Sequence, residues 1–132
     1  MTELKIRTAV REALIDITDE VREAVRGMGM RDGALMIYCP HTTCGMTINE
    51  GADPDVCRDL VRFFSEMAPH KHNWLHAEGN TDAHIKSSLL GSSVLVPVTD
   101  GALRLGTWQS IYLYEGDGPR LRSVWLTALA GQ

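Results

Sequence analysis

At 132 residues the chain has the length of one domain, and such a chain buries about two-thirds of its unfolded surface, enough for a core without disulfides. An apolar share of 44% and a charged share of 23% are ordinary for a globular protein, and a net charge of −4, from 13 basic and 17 acidic residues, argues against broad nucleic-acid binding. The opening MTELKIRTAV lacks the apolar core of a signal peptide, and no run approaches the roughly 20 apolar residues of a membrane span, so a cytoplasmic location with no membrane partner is expected.

Taken in order, Leu4, Ile6 and Thr8 alternate with Lys5 and Arg7, the pattern of a half-buried strand. Ala13, Ile15 and Ile17 alternate in the same way and are expected to pair with that first strand. Thr18 reads as a helix N-cap with Asp19 and Glu20 in the positive first turn, and Val21, Ala24, Val25 and Met28 mark one helical face ended by Gly27 and Gly29. Leu35–Cys39 is apolar almost throughout, which predicts a strand covered on both faces.

Met46–Asn49 predicts a short strand. Asp53-Pro54 is a strong helix start, and Val56, Leu60, Phe63, Phe64 and Met67 form an apolar stripe expected to be core. Residues 70–80 read as a loop. Asp82–Leu90 predicts about two helical turns anchored by Ile85 and Leu89. Val94–Val98 is a strand that Pro97 confines to an edge or a bulge, and Asp100-Gly101 is a hairpin turn. Ser110–Tyr114 and Ser123–Leu129 are two more strands joined through Gly116–Pro119. Both carry large residues on their two faces, so a second sheet or a neighbouring subunit must cover them. The expected class is a single α+β domain over residues 1–132, with mostly antiparallel, sandwich-like sheets and helices on one side.

The chemistry concentrates in two clusters. The first is His41, Thr42, Thr43, Thr47, Asn49, Glu50, Asp53 and Asp55, between a strand end and a helix start; the second is His76, Glu78, Asn80, His84 and Lys86. The two are expected to meet in space. Imidazole is the commonest metal ligand, so His41, His76 and His84 are candidates for a divalent metal such as zinc, with separate hydrogen-bonded histidines as the alternative. Glu50 and Glu78 suit a hard cation such as Mg2+, whereas Asp53 has a sufficient role as a helix cap. Lys86, Ser87 and Ser88, with Gly91–Ser93, offer a cation and hydroxyls for a phosphate. Thr107, Trp108 and Gln109 combine a ring that can stack with polar groups. Of the three cysteines, Cys39, Cys44 and Cys57, only Cys44 lies within the polar stretch, and no CxxC pair exists.

Read together, HTTCGMTINEGADPDVCRDL, HAEGNTDAHIKSSLLGSS and VPVTDGALRLGTWQSIYLYEGDGPR resemble the YjbQ-like family, also described as secondary thiamine-phosphate synthases. The resemblance runs from about Ile37 to Val124. It implies a compact α+β homotrimer with a site near the subunit interface. It implies that His41, His76 and His84 are the family's histidines, that Asn49, Glu50, Asp53, Glu78, Asn80 and Lys86 are its polar neighbours, and that Gly106–Gln109 is its GTWQ segment. Cys44 and Gly45 stand where small apolar residues are usual, and Ser110 where glycine is usual. The implied activity joins a hydroxymethylpyrimidine diphosphate to a thiazole phosphate, with Glu50, Glu78, Lys86 and Asn49 as catalytic candidates. Thr42, Thr43, Asn80, Ser87, Ser88, Thr107, Trp108 and Gln109 are the binding candidates. A metal-dependent hydrolase and a non-catalytic trimeric metal- or metabolite-binding protein are the other readings open at this point.

Overall fold

The computed structural model describes residues 1–130. The elements follow in the order β1 (Thr2–Arg7), β2 (Ala13–Asp16), α1 (Thr18–Met28), β3 (Gly33–Tyr38), β4 (Cys44–Glu50), α2 (Pro54–Met67), α3 (Thr81–Leu90), β5 (Ser93–Thr99), β6 (Ala102–Leu103), β7 (Gln109–Glu115) and β8 (Leu121–Ala130). Five strands form one sheet in the order β1-β8-β3-β5-β6, and three form a second in the order β2-β7-β4. Every pairing is antiparallel. This is the α+β, antiparallel architecture expected from the pattern.

The core takes Leu35, Ile37, Val96, Val98, Val124 and Leu126 from the first sheet, Met46, Ile111 and Leu113 from the second, and Val21 and Val25 from α1. Each of these side chains, fully buried, is worth about 1.5–3 kcal/mol. The second sheet carries helices as well. The Phe64 ring of α2 meets Tyr114 of β7 edge-on at 5.7 Å. Helix α3 lies close against β4 because Gly45 and Gly116 have no side chains: a Cβ on Gly45 would sit 3.0 Å from Leu90, and one on Gly116 2.8 Å from Ala83. The helices therefore cover Tyr114 within the chain, and a neighbouring subunit is not needed there.

Several local signals act as the sequence implied. Asp53 caps α2 by accepting the Asp55 N–H at 2.9 Å, with Pro54 at the first helical position. Gly29 ends α1 in the left-handed conformation. Asp100 and Gly101 turn with φ of 51° and 77°. Pro97 stands where the β5–β6 ladder stops: its carbonyl accepts the Arg104 N–H at 2.8 Å, and proline has no N–H to return the bond.

Others differ. Strand β2 pairs with β7, not with β1, whose partner is β8. The connection crosses between the sheets alongside the 116–119 loop, pinned by Thr8 N–H to the Arg120 carbonyl and Gly118 N–H to the Arg11 carbonyl. Thr18 is the first residue of α1, and its N–H is received by Asp16, 2.9 Å away. Strand β3 buries Leu35 and Ile37, whereas Tyr38 on the other face is exposed and stacks on Trp125 at 5.8 Å. The α2 stripe is not core: no residue of α2 is buried, and Phe63 is 60% exposed. Helix α3 turns inward Asp82, Ala83, Lys86 and Ser87, leaving Leu89 66% exposed. An ion pair between Asp82 and Lys86, one turn apart, explains how so polar a face is tolerated inside.

Candidate functional site

The two polar clusters do meet, at one end of β4 only. His41 and Thr42 precede this strand, and they share a cavity of about 310 Å3 with His84, Ser87, Ser88, Gly91 and Ser92 at the C-terminal half of α3. His84 lies edge-on to His76 with ring centroids 5.6 Å apart. His76 is tied to Thr81 at 3.2 Å and lies 3.7 Å from the exposed Glu78 carboxylate. The Nε2 of His41 accepts the Ser123 N–H at 2.9 Å, so its neutral ring carries the proton on Nδ1. Burial, reinforced by the nearby Arg122 charge, lowers the His41 pKa and favours that neutral form. Ser88 donates to the His84 carbonyl at 2.9 Å.

The other candidates are distributed differently. Lys86, expected to hold phosphate oxygens, is 1% exposed and points into the protein. Its ammonium donates to Glu12 at 2.7 Å and to Asp82 at 3.4 Å. Glu12 also accepts from Ser65 and from Tyr114, and Asp82 is gripped by both terminal nitrogens of Arg11 at 2.9 and 3.0 Å. Burial alone would raise both carboxyl pKa values. The bonds from Lys86, Ser65 and Tyr114 to Glu12, and from Arg11 to Asp82, outweigh it and hold both below the usual range. The Asn80 side-chain nitrogen donates to Asp117 at 2.9 Å, and its buried side-chain oxygen Oδ1 has no partner among the described residues. Thr43 is buried and accepts from Arg122 at 2.8 Å.

Asn49 and Glu50 lie at the opposite end of β4, six residues or about 20 Å from Cys44. There the Asn49 side chain takes the Glu50 N–H, and the Glu50 carboxylate takes the Ala52 N–H, both at 2.7 Å. Thr107, Trp108 and Gln109 stand at this same end, where Gly51 N–H reaches the Trp108 carbonyl at 2.8 Å. Glu50 is thus separated from the imidazoles, and Cys44 is a buried thiol whose pKa is pushed up by its hydrogen bond with Cys39 and by burial.

Behind the His41 end lies a second charge cluster. Arg122 donates to Glu115 at 2.8 Å, Thr8 donates to the same carboxylate at 2.8 Å, and the Asp117 N–H reaches it at 3.0 Å. Burial would raise the Glu115 pKa; the Arg122, Asp117 and Thr8 bonds lower it by more. Sequence reading passed over this cluster and the one around Glu12. A signal existed: Arg122 shares the inward parity of Val124 and Leu126, and Glu115 directly follows the run Ile111–Tyr114 that the core buries.

Three imidazoles suit a divalent cation in kind. In placement they do not close round one: among the described residues no three His, Cys, Asp or Glu side chains are arranged to hold a metal ion. The lone pair of His41 Nε2 is already taken by Ser123.

The cavity thus lies at one edge of a small antiparallel α+β domain and is lined by two imidazoles and several hydroxyls. The chain belongs to the UPF0047 protein YjbQ-like family, whose model matches residues 2–131. It is 52% identical to the UPF0047 protein YugU of Bacillus subtilis over 124 residues, covering 93% of this chain and 94% of that protein. It is 48% identical to the UPF0047 protein MJ1081 of Methanocaldococcus jannaschii, covering 92% and 88%. The crystal structure of an uncharacterized conserved protein of the YjbQ/UPF0047 family from Clostridium acetobutylicum superposes with a TM-score of 0.95 at 46% identity, covering 98% of this chain and all of that one. The hypothetical protein APE1520 of Aeropyrum pernix superposes at 0.94 with 36% identity, covering 98% of each.

Proposed function

We propose that the chain is an enzyme of phosphorylated small metabolites, a thiamine-phosphate synthase joining a hydroxymethylpyrimidine diphosphate to a thiazole phosphate. The observation that supports this reading is the gathering of His41, Thr42, His84, Ser87, Ser88 and Ser92 around one cavity. In the reaction the thiazole nitrogen forms a bond to the pyrimidine methylene carbon, and the carbon–oxygen bond breaks with its electron pair leaving on diphosphate. The Thr42 and Ser87 hydroxyls and the Nδ1–H of His41 are donors suited to the leaving oxygens, where positioned donors are worth most; the Ser88 proton is already given to the His84 carbonyl. A divalent cation carried in with the diphosphate would neutralise charge. Lys86 stays in its buried pairs and is not given a part. The test is incubation of pure protein with both half-substrates and Mg2+, with thiamine phosphate read by mass spectrometry. No product above the uncatalysed background sinks the reading, and equal rates in His84→Ala would move the site elsewhere.

A second reading, metal binding at the histidines, rests on the nearness of His76 and His84, whose ring centroids lie 5.6 Å apart, and requires His41 to turn away from its bond to Ser123. It covers the metal-dependent hydrolase and the binding module. Metal content of His41→Ala, His76→Ala and His84→Ala against His70→Ala and His72→Ala decides it. Metal without turnover selects the binding module, and phosphoester cleavage without condensation selects the hydrolase. A homotrimer belongs to both readings. The outer face of the first sheet supports it, leaving Tyr38 37%, Leu95 60% and Leu129 46% exposed. Light scattering at the monomer mass of 14.6 kDa would remove it. Among the described residues no helix is long and apolar enough to cross a membrane. Phosphorylated substrates and free thiols favour the cytoplasm for the proposed enzyme.

A further inference from the structure

We infer that the far end of β4 carries a second binding site, for a planar heteroaromatic ring bearing amino donors and a positive charge. A cavity of about 360 Å3 opens there between Trp108, Thr107 and Gly51 on one side and Asp16, Asp19 and Arg22 on the other. The site is independent of the histidine cavity, with which it shares no residue.

Trp108 is 65% exposed, an unusual position for so apolar a ring. Its backbone is nonetheless held firmly. Gln109 N–H reaches the Gly106 carbonyl at 3.0 Å, and the Gln109 amide oxygen takes the Gly106 N–H at 2.8 Å, closing the turn from both sides. Gly51 N–H fixes the Trp108 carbonyl at 2.8 Å. Gly51 itself has no room for a side chain: a Cβ would lie 1.9 Å from Ser110 Oγ. The turn is thus closely fitted around a ring that it leaves in solvent. An exposed indole carried on a fixed backbone beside a cavity is a stacking surface, since only side-chain freedom is lost when a ligand lands.

The charges facing the indole select the ligand. Two carboxylates, Asp16 and Asp19, oppose one guanidinium, Arg22. One Asp16 oxygen receives the N–H and O–H of Thr18, which fixes the carboxylate and leaves its other oxygen as an acceptor. Among the described residues Asp19 and Arg22 form no ion pair, so both remain available. Carboxylates accept from ring amines, and an indole face attracts a cation. An anionic ring would meet the two carboxylates and is disfavoured.

The experiment titrates 15N-labelled full-length protein with 4-aminopyridine, protonated at neutral pH, and follows the indole N–H resonance of Trp108, assigned with Trp108→Phe. Isonicotinate, of similar shape and opposite charge, is the comparison. A saturable shift with 4-aminopyridine alone is expected. Asp19→Asn should weaken it about fivefold through loss of a charge-assisted contact, and Arg22→Gln should tighten it about two- to threefold by removing a like charge. Each variant's full spectrum verifies its fold. The inference is overturned by a shift that does not saturate, by equal binding of isonicotinate, or by unchanged affinity in both Asp19→Asn and Arg22→Gln. A Trp108 resonance that never moves, whether the cavity is open or covered by a second copy of the chain, overturns it as well.

Discussion

The two ends of β4 are built on different principles. At the Cys44 end, the polar side chains stand on buried ion pairs: Arg122 with Glu115 behind His41, and Lys86 with Glu12 and Asp82 beneath α3. At the Glu50 end, the fixed elements are backbone hydrogen bonds and a tight glycine contact, while the side chains face solvent. The first end is rigid because desolvated charges tolerate only one arrangement; the second is rigid in its main chain alone. Loss of side chains at the first end should therefore register in stability, and loss of exposed side chains at the second in binding.

The largest effect is expected from breaking a buried pair on one side only. Arg122→Leu leaves Glu115 charged and unpaired in the core, and loss of one partner of such a pair costs about 3–5 kcal/mol. Urea unfolding with an unchanged m-value would measure it. A loss below 1 kcal/mol would show that water reaches Glu115 and that the contrast between the ends is false. The same pairs set an acid limit. Glu12, Asp82 and Glu115 have folded-state pKa values below their unfolded ones, so their contribution is complete above about pH 4 and is lost as pH falls through the lowered folded values. Stability measured downward from pH 5 should fall steeply, and more shallowly in a Glu115→Gln, Arg122→Leu double variant.

Next in size is Gly51→Ala. The added methyl would lie 1.9 Å from Ser110 Oγ and 2.7 Å from its Cβ, so overpacking of about 1–3 kcal/mol is expected. Ser110→Gly removes both atoms and should restore most of the loss. A double-mutant cycle with no coupling between the two sites would refute the tight fit proposed for this end.

The fold was largely legible because period-2 and period-3.6 patterns, the Asp53-Pro54 cap and the Asp100-Gly101 turn are local signals. The candidate site was legible only in part. Closeness in sequence does not make one site: a strand carries Thr43 and Glu50 to opposite ends, and the sequence does not mark that distance. Lys86 and Asp82 show the second difficulty. In α3 apolar periodicity names Ile85 and Leu89 as the inner face, but the ion pair and the space left by Gly45 and Gly116 turn the helix the other way. The pairing of β2 with β7 depends on a crossing between sheets, which no turn motif announces.

The smallest expected effect concerns Trp108. An apolar ring normally contributes to stability in proportion to the area it buries. Trp108 leaves 65% of its surface in water, the hydrogen bonds that hold its turn run through backbone atoms and the Gln109 amide, and among the described residues none involves the indole N–H. Trp108→Ala should therefore change unfolding free energy by no more than about 0.5 kcal/mol, the ordinary range for surface substitutions. Tyr114→Ala is the counterpart at the other end of the sheet. That ring is fully buried, meets Phe64 edge-on, and its hydroxyl donates to Glu12 within the Lys86 network. Its removal should cost several kcal/mol, of the order of 3–5 for an aromatic truncated to alanine. If Trp108→Ala proves comparably destabilising, the indole is packed in solution, on this chain or on a second copy, and it is not the free stacking surface that sets the two ends of β4 apart.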